Sequence, residues 1–220
     1  YLNKVVKECK DILPELKGYI DHLPTGTEAR KSLLMNYITL LKNKKCTDAD
    51  EYGQLIQMYV DVDPTSYDAQ KMKADLLISK GKNSEAIKTL RTLKGISTDE
   101  VQKQEITYKI ATAQFKSKSY TAAYNTALTV RGEHKGNALL MAGQCVGANA
   151  NNCGSSTFDR KCNNIYAVQL LERARALGAN AGSLISTYNN RVPTKDDCFQ
   201  NGNPASITLS CYNVTVKPCN

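Results

Sequence analysis

The residues able to do chemistry are few: eight Cys, two His and scattered carboxylates and lysines in a chain of 220 residues. A thiol nucleophile needs a base within hydrogen-bond reach. Cys145 and His134 supply the two residue types, but they stand 11 positions apart and no motif specifies their meeting, so Cys145 reads better as a disulfide partner. Asp196 and Asp197 could be taken for the paired carboxylates of acid–base chemistry. Adjacent side chains diverge, however, and a turn or helix cap is the better reading. The chain contains no phosphate-cradling glycine loop, His-Glu-x-x-His, Gly-x-Ser-x-Gly or calcium-loop pattern. It has no Cys-x-x-Cys pair, and its only imidazoles are His22 and His134, so the close spacing that zinc requires is missing. The sequence thus predicts no catalytic residue, no metal and no cofactor: a protein that is not an enzyme.

An even number of Cys without metal spacing favours disulfides and an oxidising compartment, hence the periplasm, the cell surface or secretion. All eight are candidates: Cys9, Cys46, Cys145, Cys153, Cys162, Cys198, Cys211 and Cys219. Cys9, on an N-terminal helix, is expected to pair with Cys46 in the turn that follows the next helix. Cys145, Cys153 and Cys162 are expected to tie down one loop, with one of them left to bond elsewhere. Cys198 and Cys211 enclose a loop that a disulfide would close for about 3 kcal/mol, and Cys219 would bind the tail to Cys162. Asn213-Val214-Thr215 is a glycosylation acceptor triplet, meaningful only in a eukaryotic secretory route.

The net charge of +8 is spread over helices and turns, as at Lys42, Lys44, Lys45, Lys71, Lys73, Lys80, Lys82, Lys116 and Lys118. This is foremost a solvated surface, and second a basic face for an acidic protein, an anionic glycan or a lipid head group. Nucleic acid is not expected, because the lysines are diluted by Asp and Glu and no recognition module is present. No run approaches the ~18–20 apolar residues of a membrane span. The chain opens Tyr-Leu-Asn-Lys without Met, and we expect a processed form from which a signal peptide, an anchor or earlier repeats have been removed.

The elements that would hold these residues are set by Tyr67–Gly136. Ala74, Leu77, Ala86, Leu90 and Leu93 are spaced for two short amphipathic helices facing each other. The break falls at Ser79-Lys80-Gly81-Lys82-Asn83, where Gly81 suits a helix C-cap and Asn83 or Ser84 an N-cap. Ala111 and Ala123 repeat Ala74 and Ala86, each 37 residues later, with Lys116-Ser117-Lys118-Ser119 as the second turn. Two backbones approach closely only where side chains are small, so these alanines mark the crossings. A hairpin recurring at this period predicts an all-α solenoid of helical hairpins.

Upstream, Leu33, Leu34, Tyr37, Ile38, Leu40 and Leu41 predict one helix, and Tyr52, Leu55, Ile56 and Tyr59 a second, capped by Asp48 or Asp50. Leu2, Val5, Val6, Cys9, Ile12, Leu13 and Leu16 predict a capping helix or partial repeat over 1–32. Downstream, Gly136–Gly147 reads as a further first helix. Its partner carries Tyr166, Ala167, Leu170, Leu171, Ala174 and Leu177, beyond a Cys-containing insert at 148–164 that is expected to be a long loop. From 179 to 220 a loop rich in Gly, Asn and Ser leads to Ile207-Thr208-Leu209 and Val214-Thr215-Val216. These alternate and are β-branched, so they predict a short β-hairpin appendage.

The repeated residues from Ala74 to Val130, with Asp63-Pro64 where an earlier repeat would close, resemble the tetratricopeptide repeat. The chain departs from that pattern in having no Trp and in replacing Gly by Ala. The resemblance implies a TPR-like solenoid over 33–178 whose first helices line a concave face. Carried over by position, that face holds Tyr37, Lys71, Asp75, Tyr108, Thr112, Phe115 and Gln144. Tyr108 and Phe115 have an alternative reading as repeat-packing residues. The Cys-Gly-Ser-Ser-Thr-Phe insert and the ending from Pro193 to Tyr212 are similar to exported repeat proteins of Bacteroidetes-type bacteria, which implies export more than an activity.

The expected function is a non-enzymatic scaffold that binds another protein or a peptide on its concave face. The alternatives are a basic module for anionic envelope glycans or lipids, or the repeat region of a larger protein whose catalytic domain lies elsewhere.

Overall fold

A computed structural model describes residues 8–219. Leu2, Val5 and Val6, expected on the N-terminal helix, lie outside the described residues. Among the described residues the chain is helical apart from one small sheet, and it falls into two compact units that divide between Ile96 and Ser97.

The first unit holds α1 (Cys9–Ile20), α2 (Thr27–Asn43), α3 (Asp50–Val62), α4 (Tyr67–Ser79) and α5 (Asn83–Ile96). Its core draws Ile12 and Leu16 from α1, Leu34, Ile38 and Leu41 from α2, and Leu55 and Ile56 from α3, all essentially sealed from solvent. Cys9 is bonded to Cys46, which fastens α1 to the α2–α3 turn as the sequence suggested. Consecutive helices pack on one another: α2 on α3, α3 on α4, and α4 on α5. Ala74 and Ala86 have no exposed surface, as expected of residues at a helix crossing.

The second unit opens with α6 (Glu100–Lys116) and α7 (Tyr120–Thr129), whose Ala111 and Ala123 are equally buried. A 3₁₀ turn leads into α8 (Lys135–Asn149), which lies against both α7 and α9 (Thr157–Ala176). Gly143 lets α8 and α9 meet at backbone distance: a Cβ there would come within 2.7 Å of Leu171 Cγ and 3.1 Å of the Ala167 carbonyl oxygen. Two short helices follow, α10 (Gly182–Asn189) and α11 (Lys195–Gln200), then β1 (Ile207–Leu209) and β2 (Val214–Val216). The strands pair antiparallel, with Ile207 opposite Val216, so both expected strands form where alternation placed them.

The hairpin turns share one construction. After α4, Gly81 takes a φ of 70°, its N–H donates to the Ile78 carbonyl, and the Lys82 N–H donates to Leu77 over 2.9 Å. This pair of bonds is the Schellman closure, which satisfies carbonyls that the helix end leaves orphaned. Lys45 and Lys118 stand at the same place after α2 and α6, with φ of 59° and 58° and the same two bonds. The left-handed residues 45, 81 and 118 therefore recur at 36 and 37 residues, a second record of the period. A lysine there bears a Cβ penalty that glycine avoids. Lys118→Gly is expected to raise stability by about 1 kcal/mol, and Gly81→Ala to lower it by a similar amount, read as opposite shifts of the urea midpoint.

Two expected loops are shorter than the sequence suggested. The insert at 148–164 is mostly helical: after a 3₁₀ turn at Ala150–Asn152, α9 begins at Thr157. Its start is set by a capping box, in which the Ser156 hydroxyl accepts from the Asp159 N–H at 3.0 Å and the Asp159 carboxylate accepts from the Ser156 N–H at 3.1 Å. The loop between 179 and Ile207 is likewise interrupted by α10 and α11. Asp196 and Asp197 lie in the first turn of α11, where Asp197 closes a second capping box with Thr194, in keeping with the helix-cap reading.

The disulfides of this unit also differ from expectation. Cys198 pairs with Cys219 rather than Cys211, and Cys211 pairs with Cys153. Cys145 and Cys162 are buried free thiols, so neither ties the insert and Cys162 does not hold the tail. Both sit on the apolar faces of packed helices, α8 and α9, where they serve as small core residues.

Candidate functional site

In the first unit, α2 and α4 flank an open cleft of about 420 Å³. α2 and α4 are the first helices of successive hairpins. From α4 the cleft takes Met72, Asp75, Leu76 and Ser79, the i, i+3, i+4, i+7 stripe that aligns on one helix face. From α2 it takes Ile38, Thr39, Lys42 and Asn43, and the start of the next hairpin arm adds Thr47 and Tyr52. The floor is apolar, with Ile38 and Tyr52 buried and Met72 and Leu76 half-buried, while Thr39, Lys42, Asn43, Asp75 and Ser79 form an exposed polar rim. Burial first, and the Asp75 carboxylate second, hold the Tyr52 phenol above its usual pKa, so it stays a neutral hydroxyl at physiological pH. Such a cleft offers an apolar seat for one or two side chains and both signs of charge at its edge.

Of the three concave-face candidates in this unit, only Asp75 lines the cleft. Tyr37 stacks on Tyr19 of α1, with ring centroids 6.1 Å apart. Lys71 rests its ammonium over the Tyr67 ring at 5.9 Å. The four candidates of the second unit are bound up in local packing. Tyr108 lies parallel to His134, with centroids 5.1 Å apart and planes 2° from parallel. The Thr112 hydroxyl donates to the Tyr108 carbonyl at 3.0 Å. Phe115 packs against Tyr120 across the α6–α7 turn at 5.7 Å. Gln144 is half-buried on α8. Tyr108 and Phe115 therefore act as packing residues of their hairpins, the alternative reading of the sequence. Position matching overlooked Thr39, Lys42, Tyr52, Met72 and Ser79, although the helical stripe through Asp75 would have found Met72 and Ser79.

The imagined Cys145–His134 pair does not form. His134 is spent on Tyr108 at the N-terminal end of α8, and Cys145 lies three helical turns further along, roughly 16 Å away. Burial pushes the Cys145 thiol up to about 12 and, with Asp159 and Asp197 nearby, the Cys162 thiol up to about 11. A thiol of this kind is protonated and inert at neutral pH. Native protein is therefore expected to resist iodoacetamide at pH 8, whereas denatured, unreduced protein takes up two labels by mass. The folded state retains thiol protons that the unfolded chain releases above about pH 8.5. This contribution to stability is present below that pH and is lost as pH rises through the folded-state values. The urea midpoint should accordingly fall between pH 8 and pH 10, and less so in Cys145→Ala.

Among the described residues, no three His, Cys, Asp or Glu side chains gather in a metal-binding arrangement, and no helix is long and apolar enough to cross a membrane. Comparison of the chain with family models, with curated proteins and with solved structures returns no match.

Proposed function

We propose that this chain is an exported, non-enzymatic binding module of tetratricopeptide-like hairpins, and that it takes a peptide segment of another protein in the cleft between α2 and α4. The observation that carries the reading is the cleft itself: an apolar floor with a mixed-charge rim, formed between the first helices of two successive hairpins. A peptide seats an apolar side chain on Ile38, Met72 and Leu76, and its polar groups meet Lys42, Asn43 and Asp75. The alanine crossings and the 36- and 37-residue spacing of the left-handed turns support the repeat frame. Three disulfides favour the periplasm, the cell surface or secretion over a reducing cytosol.

The test is selection of peptides from a random displayed library on the immobilised chain, followed by affinity measurement with rim variants. Thr39→Arg and Ser79→Arg, at exposed rim positions, are expected to weaken the selected peptides at least about tenfold by filling the cleft. Thr92→Arg, exposed on α5, should leave them unchanged. Failure to select any peptide, or peptides indifferent to both rim variants, would sink the proposal.

A further inference from the structure

The two-stranded sheet of the second unit has two open edges, and they differ. β2 runs into Lys217 and Pro218, residues that guard an edge against pairing. The β1 segment Ser206-Ile207-Thr208-Leu209-Ser210 has no Lys, no Pro and no bulge. Its outward groups follow from the ladder, in which bonded and non-bonded pairs alternate. Were Thr208 bonded to Thr215, the ladder would continue through Ser206 with Lys217 and Ser210 with Asn213. Among the described residues neither bond is present, and the Asn213 N–H donates to Leu209 instead at 2.8 Å. Thr208 and Thr215 are therefore the close, non-bonded pair, and their hydroxyls meet at 3.1 Å. The Thr208 N–H and carbonyl then point away from β2, and among the described residues nothing pairs with them.

A cleft of about 380 Å³ runs along this edge. All five residues from Ser206 to Ser210 line it, although successive side chains of a strand point to opposite faces. Five consecutive residues border one cleft only where it follows the backbone edge. Its other side is the small pair Gly154 and Ser155 with the start of α9, where Asp159 is turned to capping. A row of free N–H and C=O groups at strand spacing is completed by another strand.

Which strand fits follows from what β1 already accepts. On β2 it meets Val216-Thr215-Val214, an apolar–Thr–apolar run. β1 is itself Ile-Thr-Leu, of the same kind, and with its flanking serines it reads alike in both directions. Turned end for end about Thr208, Ser206 faces Ser210, Ile207 faces Leu209, and Thr208 faces its own counterpart. A twofold axis requires a self-complementary patch of this kind. We propose that two copies of this chain associate through β1, antiparallel about Thr208, so that the two hairpins form one four-stranded sheet. This surface shares no residue with the peptide cleft, so either can fail without the other.

The test is sedimentation of the full chain from about 10 μM to about 1 mM, with exchange of the Thr208 amide followed by NMR. Five residues a side fall below a standard interface, so a weak dimer is expected, filling toward the upper end of that range. The weight-average mass should rise toward two chains, and exchange at Thr208 should slow at least about threefold with it. Thr208→Lys and Thr208→Glu place exposed like charges directly opposite each other. Each should weaken association about threefold without moving the thermal transition, and their equimolar mixture should regain it. Thr208→Pro removes the outward N–H, leaves the β1–β2 bonds alone, and should weaken association about tenfold. A chain that is monomeric throughout overturns the proposal. So does a dimer whose Thr208 amide stays fast, or a Lys–Glu mixture no tighter than either variant alone. A monomer whose Thr208 amide is protected only by an added Ser-Ile-Thr-Leu-Ser peptide overturns the second copy and gives the edge to a strand of another protein.

Discussion

Gly147→Ala is expected to destabilise the second unit by about 2–3 kcal/mol, although alanine in the interior of a helix ordinarily gains about 1 kcal/mol over glycine. Gly147 lies near the end of α8, and a Cβ built on it overlaps the Tyr188 ring at Cε1 and Cζ. The ring has nowhere cheap to go. It is 7% exposed, has Cys145 and Tyr120 nearby, and is covered by the Arg191 guanidinium. The added methyl group must therefore push α10 off α9 and α8, to which the ring and Ile185 anchor it. A double-mutant cycle isolates the cause. In a Tyr188→Ala background, which is itself destabilised by the cavity, Gly147→Ala should be neutral or stabilising. If it costs the same in both backgrounds, the glycine is needed for something other than the ring.

This glycine also shows where sequence reading runs out. Ala74, Ala86, Ala111 and Ala123 were legible because small residues at a fixed offset announce close helices before any partner is known. Gly147 announces only permissiveness, since the ring that needs the space comes from Tyr188, far along the chain. Local signals served well where local energies decide. Gly81 marks its turn through a conformation other residues resist, and β1 and β2 follow from alternating β-branched residues. They failed where packing decides. The stretch from 179 reads as loop because of its Gly, Asn and Ser, yet Ile185 and Tyr188 fold Gly182–Asn189 into a helix by burying one face. The start of α9 was missed because its capping box, Ser156 with Asp159, lies in a Cys-, Gly- and Ser-containing stretch that reads as loop.

The site was legible to the level of an element, not a side chain. The repeat frame picked out α2 and α4, and Asp75 does line their cleft. Successive residues on a helix are turned by about 100°, so a frame wrong by one position selects a different face. Tyr37 illustrates this: it meets Tyr19 of α1, while Ile38 and Thr39, the next two residues, line the cleft. The frame paired Cys9 with Cys46, a helix with the next turn, but it could not pair the six cysteines of the second unit. Six allow 15 full connectivities, and the sequence suggested Cys198 with Cys211, whereas the hairpin carries Cys211 back to Cys153.

That bond should be the costliest cross-link in the second unit to lose. Cys153–Cys211 closes a loop with a sequence separation of 58 residues, against 21 for Cys198–Cys219. Chain entropy then assigns the first about 4 kcal/mol and the second about 3 kcal/mol. Packing widens the difference. A two-stranded hairpin is marginal alone, and this one is held by Leu209, Val216 and above all Tyr212, the residue next to Cys211. Tyr212 lies edge-on to Tyr124 at 4.8 Å and tilted against Tyr166 at 5.9 Å, and these two share a buried hydroxyl–hydroxyl bond of 2.8 Å. Cys153 in turn is fixed to α9, because Asn163 Nδ2 donates to its carbonyl at 2.7 Å. The bond thus joins the start of α9 to the ring that seals the core between α7 and α9. Cys153→Ala/Cys211→Ala, made as a pair so that no odd thiol arises, is expected to lower the unfolding free energy by about 4 kcal/mol and to strip hydrogen-exchange protection from the β1–β2 amides. Cys198→Ala/Cys219→Ala should cost less and leave those amides protected. If the two pairs prove equal, or the hairpin stays protected without Cys153–Cys211, the Tyr124–Tyr166–Tyr212 cluster holds the hairpin without help and the disulfide is secondary to it.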